Sequence, residues 1–261
     1  MDILKTGFMI KNNFNIVVPV YNAEQWIGRC IESILMQDYP YYRLIVVDDH
    51  STDNTLSIIK DAGVDYYSNV IRYGSGLANI VSGIDFLKGN EDDIIVTVDG
   101  DDYLADNNVL SYLNKVYQSD VWLTYGSFLP LSKRYKNTCQ DLSYTHTFDD
   151  EGEHLYSHLT PATYRKSGVW VTSHLRTFKR WLWNEIDDND LRDENGEYFK
   201  TGWDLAFMYP LIEMAGSHLR FIDKVLYMYN DLNPYCDGTV NPQEQIKVGK
   251  YIQSKEQYKE L

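Results

Sequence analysis

Three short β-branched runs punctuate the first hundred positions: NIVVPV at 15–20, RLIVVDD at 43–49 and DIIVTVD at 93–99. Segments of helical spacing separate and follow them. AEQWIGRCIESILMQ (23–37) repeats apolar side chains at Trp26, Ile27, Cys30, Ile31, Ile34 and Leu35. STDNTLSIIKDAG (51–63) opens on residues that cap helices and closes on a glycine, and SGLANIVSGIDFLKGN (75–90) reads as a further helix. Strand, helix, strand, helix, strand predicts an α/β fold with a mostly parallel, Rossmann-like central sheet and helices on both faces. The 261 residues are 44% hydrophobic, enough for a sizeable core. Parallel sheets present ligands at the carboxyl ends of their strands. Tyr21, Asp49 and Asp99 all fall at or just past such ends, so one rim of the sheet is expected to gather them.

The third run ends unusually. VTVDGDDYL puts Asp99, Asp101 and Asp102 within four positions of a buried strand. Crowded carboxylates repel and raise one another's pKa, and a buried strand end rarely carries three acids without a partner charge. A hard divalent cation, Mg²⁺ or Mn²⁺, relieves that crowding through oxygen ligands shared with a substrate phosphate. A solvated loop or helix cap is the plainer alternative in a chain of net charge −14. That charge disfavours nucleic acid and anionic lipid as partners.

Other chemistries lack their residues. GSGLAN (74–79) misses the third glycine of a dinucleotide fingerprint, no P-loop occurs, and neither the acids at 99–103 nor the acidic loop DDNDLRDENGEYF (187–199) fits an EF-hand. Cys30, Cys139 and Cys236 lie far apart with no C-x-x-C, which points to neither zinc nor a disulfide framework. MDILKTGFMIKNN has no signal-peptide core, and no apolar run approaches the roughly 20 residues of a membrane span. A cytoplasmic location is expected.

The second half is less regular. Helices are expected at 109–118, 202–216 and 242–261 and strands at 120–128 and 224–230, with 131–165 loop-rich. GVWVTSHLRTFKRWLWNEI (168–186) is aromatic and basic against the trend of the chain, which suits sugar faces and phosphate.

Together, VVPVYNAEQWI, LIVVDDHSTDNT, VTVDGDDYL and TGWDLAFMYPL resemble the family 2 glycosyltransferases of the GT-A fold, over roughly residues 14–232. The resemblance implies an inverting, metal-dependent transfer of sugar from a nucleotide diphosphate donor, a UDP-sugar first, to a hydroxyl of a glycan, glycolipid or glycoprotein. It implies a donor-binding half at 1–130, an acceptor and catalytic-base half at 131–241 and a C-terminal helix at 242–261. By resemblance, Pro19 and Tyr21 line the nucleotide pocket, Asp49 binds the base and Arg72 reaches base or diphosphate. Asp101 and Asp99 form the metal motif, Asp99 also touching ribose or donor sugar and Asp102 either assisting the metal or capping the next helix. Asp204 matches the general base, and Trp203, His174 and Arg176 are acceptor-side candidates, with the donor diphosphate or plain packing the alternatives for His174 and Arg176. The sequence departs from the family at His50, where glycine or asparagine is usual, at NIVSG, which lacks an arginine, and at Asn230, where arginine usually follows the tyrosine. A sugar nucleotidyltransferase would want a glycine-rich basic loop that PVYNAEQ does not offer, and a non-catalytic sugar-nucleotide-binding module would not need Asp204.

Overall fold

The computed structural model describes residues 9–132, 146–148, 154–157, 159–234 and 242–261. The first half forms as its pattern predicts. Strands β1 (Phe14–Val20) and β2 (Tyr42–Asp48) alternate with helices α1 (Ile27–Leu35) and α2 (Thr55–Asp61). The short strand β3 (Asp65–Ser68), helix α3 (Gly76–Leu87) and strand β4 (Ile94–Thr97) follow. Pairing of β3 with β2, β2 with β1 and β1 with β4 is parallel. The sequence reading missed β3. It is an edge strand, and its Tyr66 and Tyr67 are exposed, so it lacks the apolar run that marks a buried strand.

The rest adds β5 (Tyr103–Leu104), α4 (Val109–Val116), β6 (Leu123–Pro130), a hairpin of β7 (His146–Phe148) and β8 (His154–Ser157), α5 (Pro161–Ser167), β9 (Arg176–Lys179), α6 (Arg180–Asn184), α7 (Trp203–Ala215), β10 (Leu219–Tyr229) and α8 (Pro242–Ser254). The eight-stranded sheet runs β3-β2-β1-β4-β9-β6-β10-β5. Strand β9 is antiparallel to both β4 and β6 and joins the two parallel blocks. No strand was expected within 168–186, because aromatic and basic residues there mask the alternation. The terminal helix stops at Ser254, before the expected 261.

Both faces are buried. Ile16, Val18, Val46, Ile94 and Val96 pack with Ile27, Ile31 and Ile34 of α1 and Leu110 and Leu113 of α4. Their strand neighbours Val17, Ile45, Val47 and Ile95 pack with Ile80 and Ile84 of α3 and Phe207 and Leu211 of α7. The period-two alternation divides each strand between the two cores. Helix α7 is fixed from behind by Arg165 of α5, whose Nε and Nη2 reach Glu213 at 2.8 and 2.6 Å. Removing one partner of such a buried pair typically costs about 3–5 kcal/mol. The pair anchors the C-terminal half of α7, the helix whose first turn carries Asp204.

Candidate active site

The acidic turn sits where β4 leaves the sheet. Asp102 N donates to Asp99 O at 2.9 Å, and Gly100 N donates to Pro19 O at 3.1 Å, so the turn lies flat on the end of β1. A Cβ at Gly100 would stand 2.7 Å from Val20 Cβ, closer than side chains approach, which explains the glycine inside the motif. The segment after β10 ties the turn down. Asn230 N donates to Asp102 Oδ1 and Asn233 Nδ2 to Asp101 Oδ2, both at 2.7 Å, and Asp99 N donates to the Tyr227 hydroxyl at 3.0 Å. Asn233 and Tyr227 were not foreseen as site residues, and Asn230 only as the position where the family's usual arginine is missing. The polar turn NDLNP behind a strand was the signal for Asn233, and nothing local marked Tyr227.

The three acids differ in setting. Asp102 is fully buried, and burial, with Asp101 and Asp99 beside it, holds its carboxyl well above the usual range. Burial also raises Asp101, against the opposing bond from Asn233. The Cys30 thiol beneath is raised by burial and then by Asp102, Asp101 and Asp99. Ligand atoms of Asp99, Asp102 and His174 all lie within 4.8 Å of one another. His174 stacks on Tyr227 with ring centres 4.5 Å apart, and burial followed by Arg176 holds its imidazole well below its usual pKa, so it is neutral at pH 7. Two carboxylates and a neutral imidazole form a ligand set that fits a divalent cation. Asp101, expected beside Asp99 as metal ligand, stands next to this group with one oxygen on Asn233.

On the neighbouring strand ends, Asp49 is buried and its carboxylate accepts from Asn69 Nδ2 (2.8 Å), Tyr73 N (2.9 Å) and Gly74 N (2.8 Å). It thereby shapes the loop that carries Arg72, whose guanidinium lies 3.7 Å over the Tyr21 ring. Pro19 is buried at the end of β1. His50 takes φ 62°, which accounts for the glycine or asparagine usual there.

The C-terminal half supplies a second wall. Phe128, Trp170, Ser173, His174, Arg176, Asp204 and Tyr229 line a pocket of about 200 Å³. Arg176 Nη2 meets Asp204 Oδ2 at 3.0 Å. His174 Nε2 lies 4.0 Å from Asp99 Oδ2, so one side chain touches both the acidic turn and this pocket. Trp203 packs instead on α3: a Cβ at Gly76 would meet its ring at 3.0 Å, and it stacks on Phe207.

Residues 15–138 match glycosyl transferase family 2. That segment, a little under half of the chain, is similar to this family. Its sequence is 33% identical over 119 residues to an uncharacterized glycosyltransferase of Haemophilus influenzae, a match covering 44% of this chain and 46% of that protein. The chain thus spans less than half the length of that relative. Staphylococcus aureus TarS, residues 1–349 in complex with UDP-GlcNAc, shares its fold with a TM-score of 0.62 at 19% identity, over 92% of this chain and 65% of that 1–349 chain. The mannosyltransferase PcManGT from Pyrobaculum calidifontis, in complex with GDP-Man and Mn²⁺, gives 0.63 at 17% identity, over 95% and 66%. The GT-A fold expected from the motifs is therefore the fold observed. Among the described residues, no helix is long and apolar enough to cross a membrane.

Proposed function

We propose that this protein transfers a sugar, with inversion, from a nucleotide diphosphate donor to a hydroxyl of a glycan, glycolipid or glycoprotein acceptor. The carrying observation is the meeting at His174: its imidazole lies 4.0 Å from Asp99 and shares a pocket with Asp204. Donor-side acids and a candidate base thus face one space. A UDP-sugar is the first choice, supported by the fold shared with UDP-GlcNAc-bound TarS. Tyr21 and Pro19 would line the base pocket. Asp49 has three of its roughly four acceptor sites filled by the protein, which leaves one for a base N–H.

Asp99, Asp102 and His174, with Asp101 adjacent, would hold Mn²⁺ or Mg²⁺. Mg²⁺ demands near-octahedral oxygen ligands, so the imidazole favours Mn²⁺. Such an ion supplies positive charge against the departing diphosphate. Asp204, in the first turn of α7, would take the proton of the acceptor hydroxyl during attack at the anomeric carbon. Attack from the face opposite the leaving group inverts the anomer. Residues 1–130 would serve the donor and 131–241 the acceptor, with 242–261 as a C-terminal segment.

A panel of nucleotide sugars, read by thermal shift with Mn²⁺ and with EDTA, tests the reading, followed by NMR of the product anomer. UDP-sugars with Mn²⁺ should give the largest shift and the product should be inverted. No shift from any nucleotide sugar, or a retained anomer, contradicts it.

A further inference from the structure

Arg176 is 2% exposed, yet it is poorly satisfied. Its Nη2 pairs with Asp204, while Nε and Nη1 have no hydrogen-bond partner among the described residues. A buried guanidinium with idle donors is costly unless something else meets them. The side chain lines the pocket of about 200 Å³, whose other walls are Phe128, Trp170, Ser173, His174, Asp204 and Tyr229. None of Tyr21, Asp49 or Arg72 borders this pocket, which lies beside the base candidate Asp204.

We propose that Arg176 recognises an anionic group, a phosphate or a carboxylate, carried by the acceptor next to the hydroxyl that reacts. The proposal rests on the transferase reading above and names the acceptor class for it. A planar guanidinium offers five N–H donors in a fork that matches such oxygens in pairs. Nε and Nη1, left without protein partners, would meet such an anion while Nη2 keeps its contact with Asp204. The contact with Asp204 then places the anion's neighbouring hydroxyl beside that carboxylate. The aromatic walls suit the apolar edge of a polyol or sugar.

The test uses the full chain saturated with UDP and Mn²⁺, with glycerol 3-phosphate, glycerate and glycerol as probes in calorimetry. Wild type should bind glycerol 3-phosphate or glycerate at least tenfold more tightly than glycerol, and the two anions show which source is preferred. Arg176→Gln should lose at least tenfold for that anion, and Arg176→Lys, which keeps the charge without the fork, should lose less. UDP affinity should stay within twofold in both variants. Equal binding of anion and glycerol by wild type overturns the proposal, as does unchanged anion binding in Arg176→Gln. A matching loss of UDP in either variant assigns Arg176 to the donor diphosphate and also overturns it. Failure of wild type to bind UDP at all strikes the donor reading itself and is seen before any acceptor probe is added.

Discussion

The two halves of the site treat their charges in opposite ways. On the donor side, protein donors already occupy the carboxylates: Asp49 accepts three hydrogen bonds, and Asp48 accepts from Ser68 Oγ at 2.8 Å and Ser51 N at 3.2 Å. On the acceptor side, Arg176 keeps two nitrogens without partners and His174 Nδ1 has none among the described residues. The first side is a preformed frame. The second leaves buried polar atoms unmet. The acidic turn lies between them, tied by Asn230 and Asn233 yet crowded enough to raise Asp102 and Asp101. A frame tolerates loss of its ligand, whereas a wall with unmet polar atoms gains partners from one.

That contrast can be broken most sharply at Asp204. Asp204→Asn should lower transfer by about 10²–10⁴, the usual effect of removing a general base, while UDP affinity stays unchanged. Near-normal transfer in a steady-state assay would remove Asp204 from catalysis. The frame predicts the converse at Asp49. Asp49→Ala frees Asn69, Tyr73 N and Gly74 N, so the folded state should lose about 1–3 kcal/mol in denaturant melts. UDP should weaken at least tenfold in the same variant, and a loss of stability without a loss of UDP would leave Asp49 a loop anchor alone. The smallest effect concerns Asp102. Its raised pKa means that ionising it opposes folding, a penalty absent below the unfolded carboxylate pKa and complete above the folded value. Asp102→Asn should therefore melt higher than wild type in EDTA at pH 7 and lose that advantage in Mn²⁺. A lower melting temperature in EDTA would show that its bond from Asn230 outweighs the crowding.

The same contrast explains what the sequence could show. Runs such as NIVVPV and DIIVTVD announce parallel strands because both faces are buried, and the strand-end rule then places Tyr21, Asp49 and Asp99 together. Local spacing carries no such information for β9. Arg176 faces Thr97 only because an antiparallel strand is inserted between β4 and β6. The pairing of Arg176 with Asp204 and the clamp of Asn230 on Asp102 span 28 and 128 residues, beyond any local pattern. Burial of Asp102 was likewise illegible, because three acids in a turn read the same whether solvated or covered. Trp203 shows the reverse error of adjacency: one position from Asp204, its ring turns to Gly76 rather than to the pocket.

Titration calorimetry of UDP, with Mn²⁺ and with EDTA, on wild type and Asp204→Asn tests the division most directly. In both proteins UDP should bind tightly with Mn²⁺ and at least tenfold more weakly with EDTA. At a hundredfold excess over Kd, the bound form gains about 2.7 kcal/mol of stability. Equal UDP affinity with and without the ion would contradict a donor held through the acidic turn. A loss of UDP in Asp204→Asn as large as the loss in EDTA would contradict the separation of the two halves.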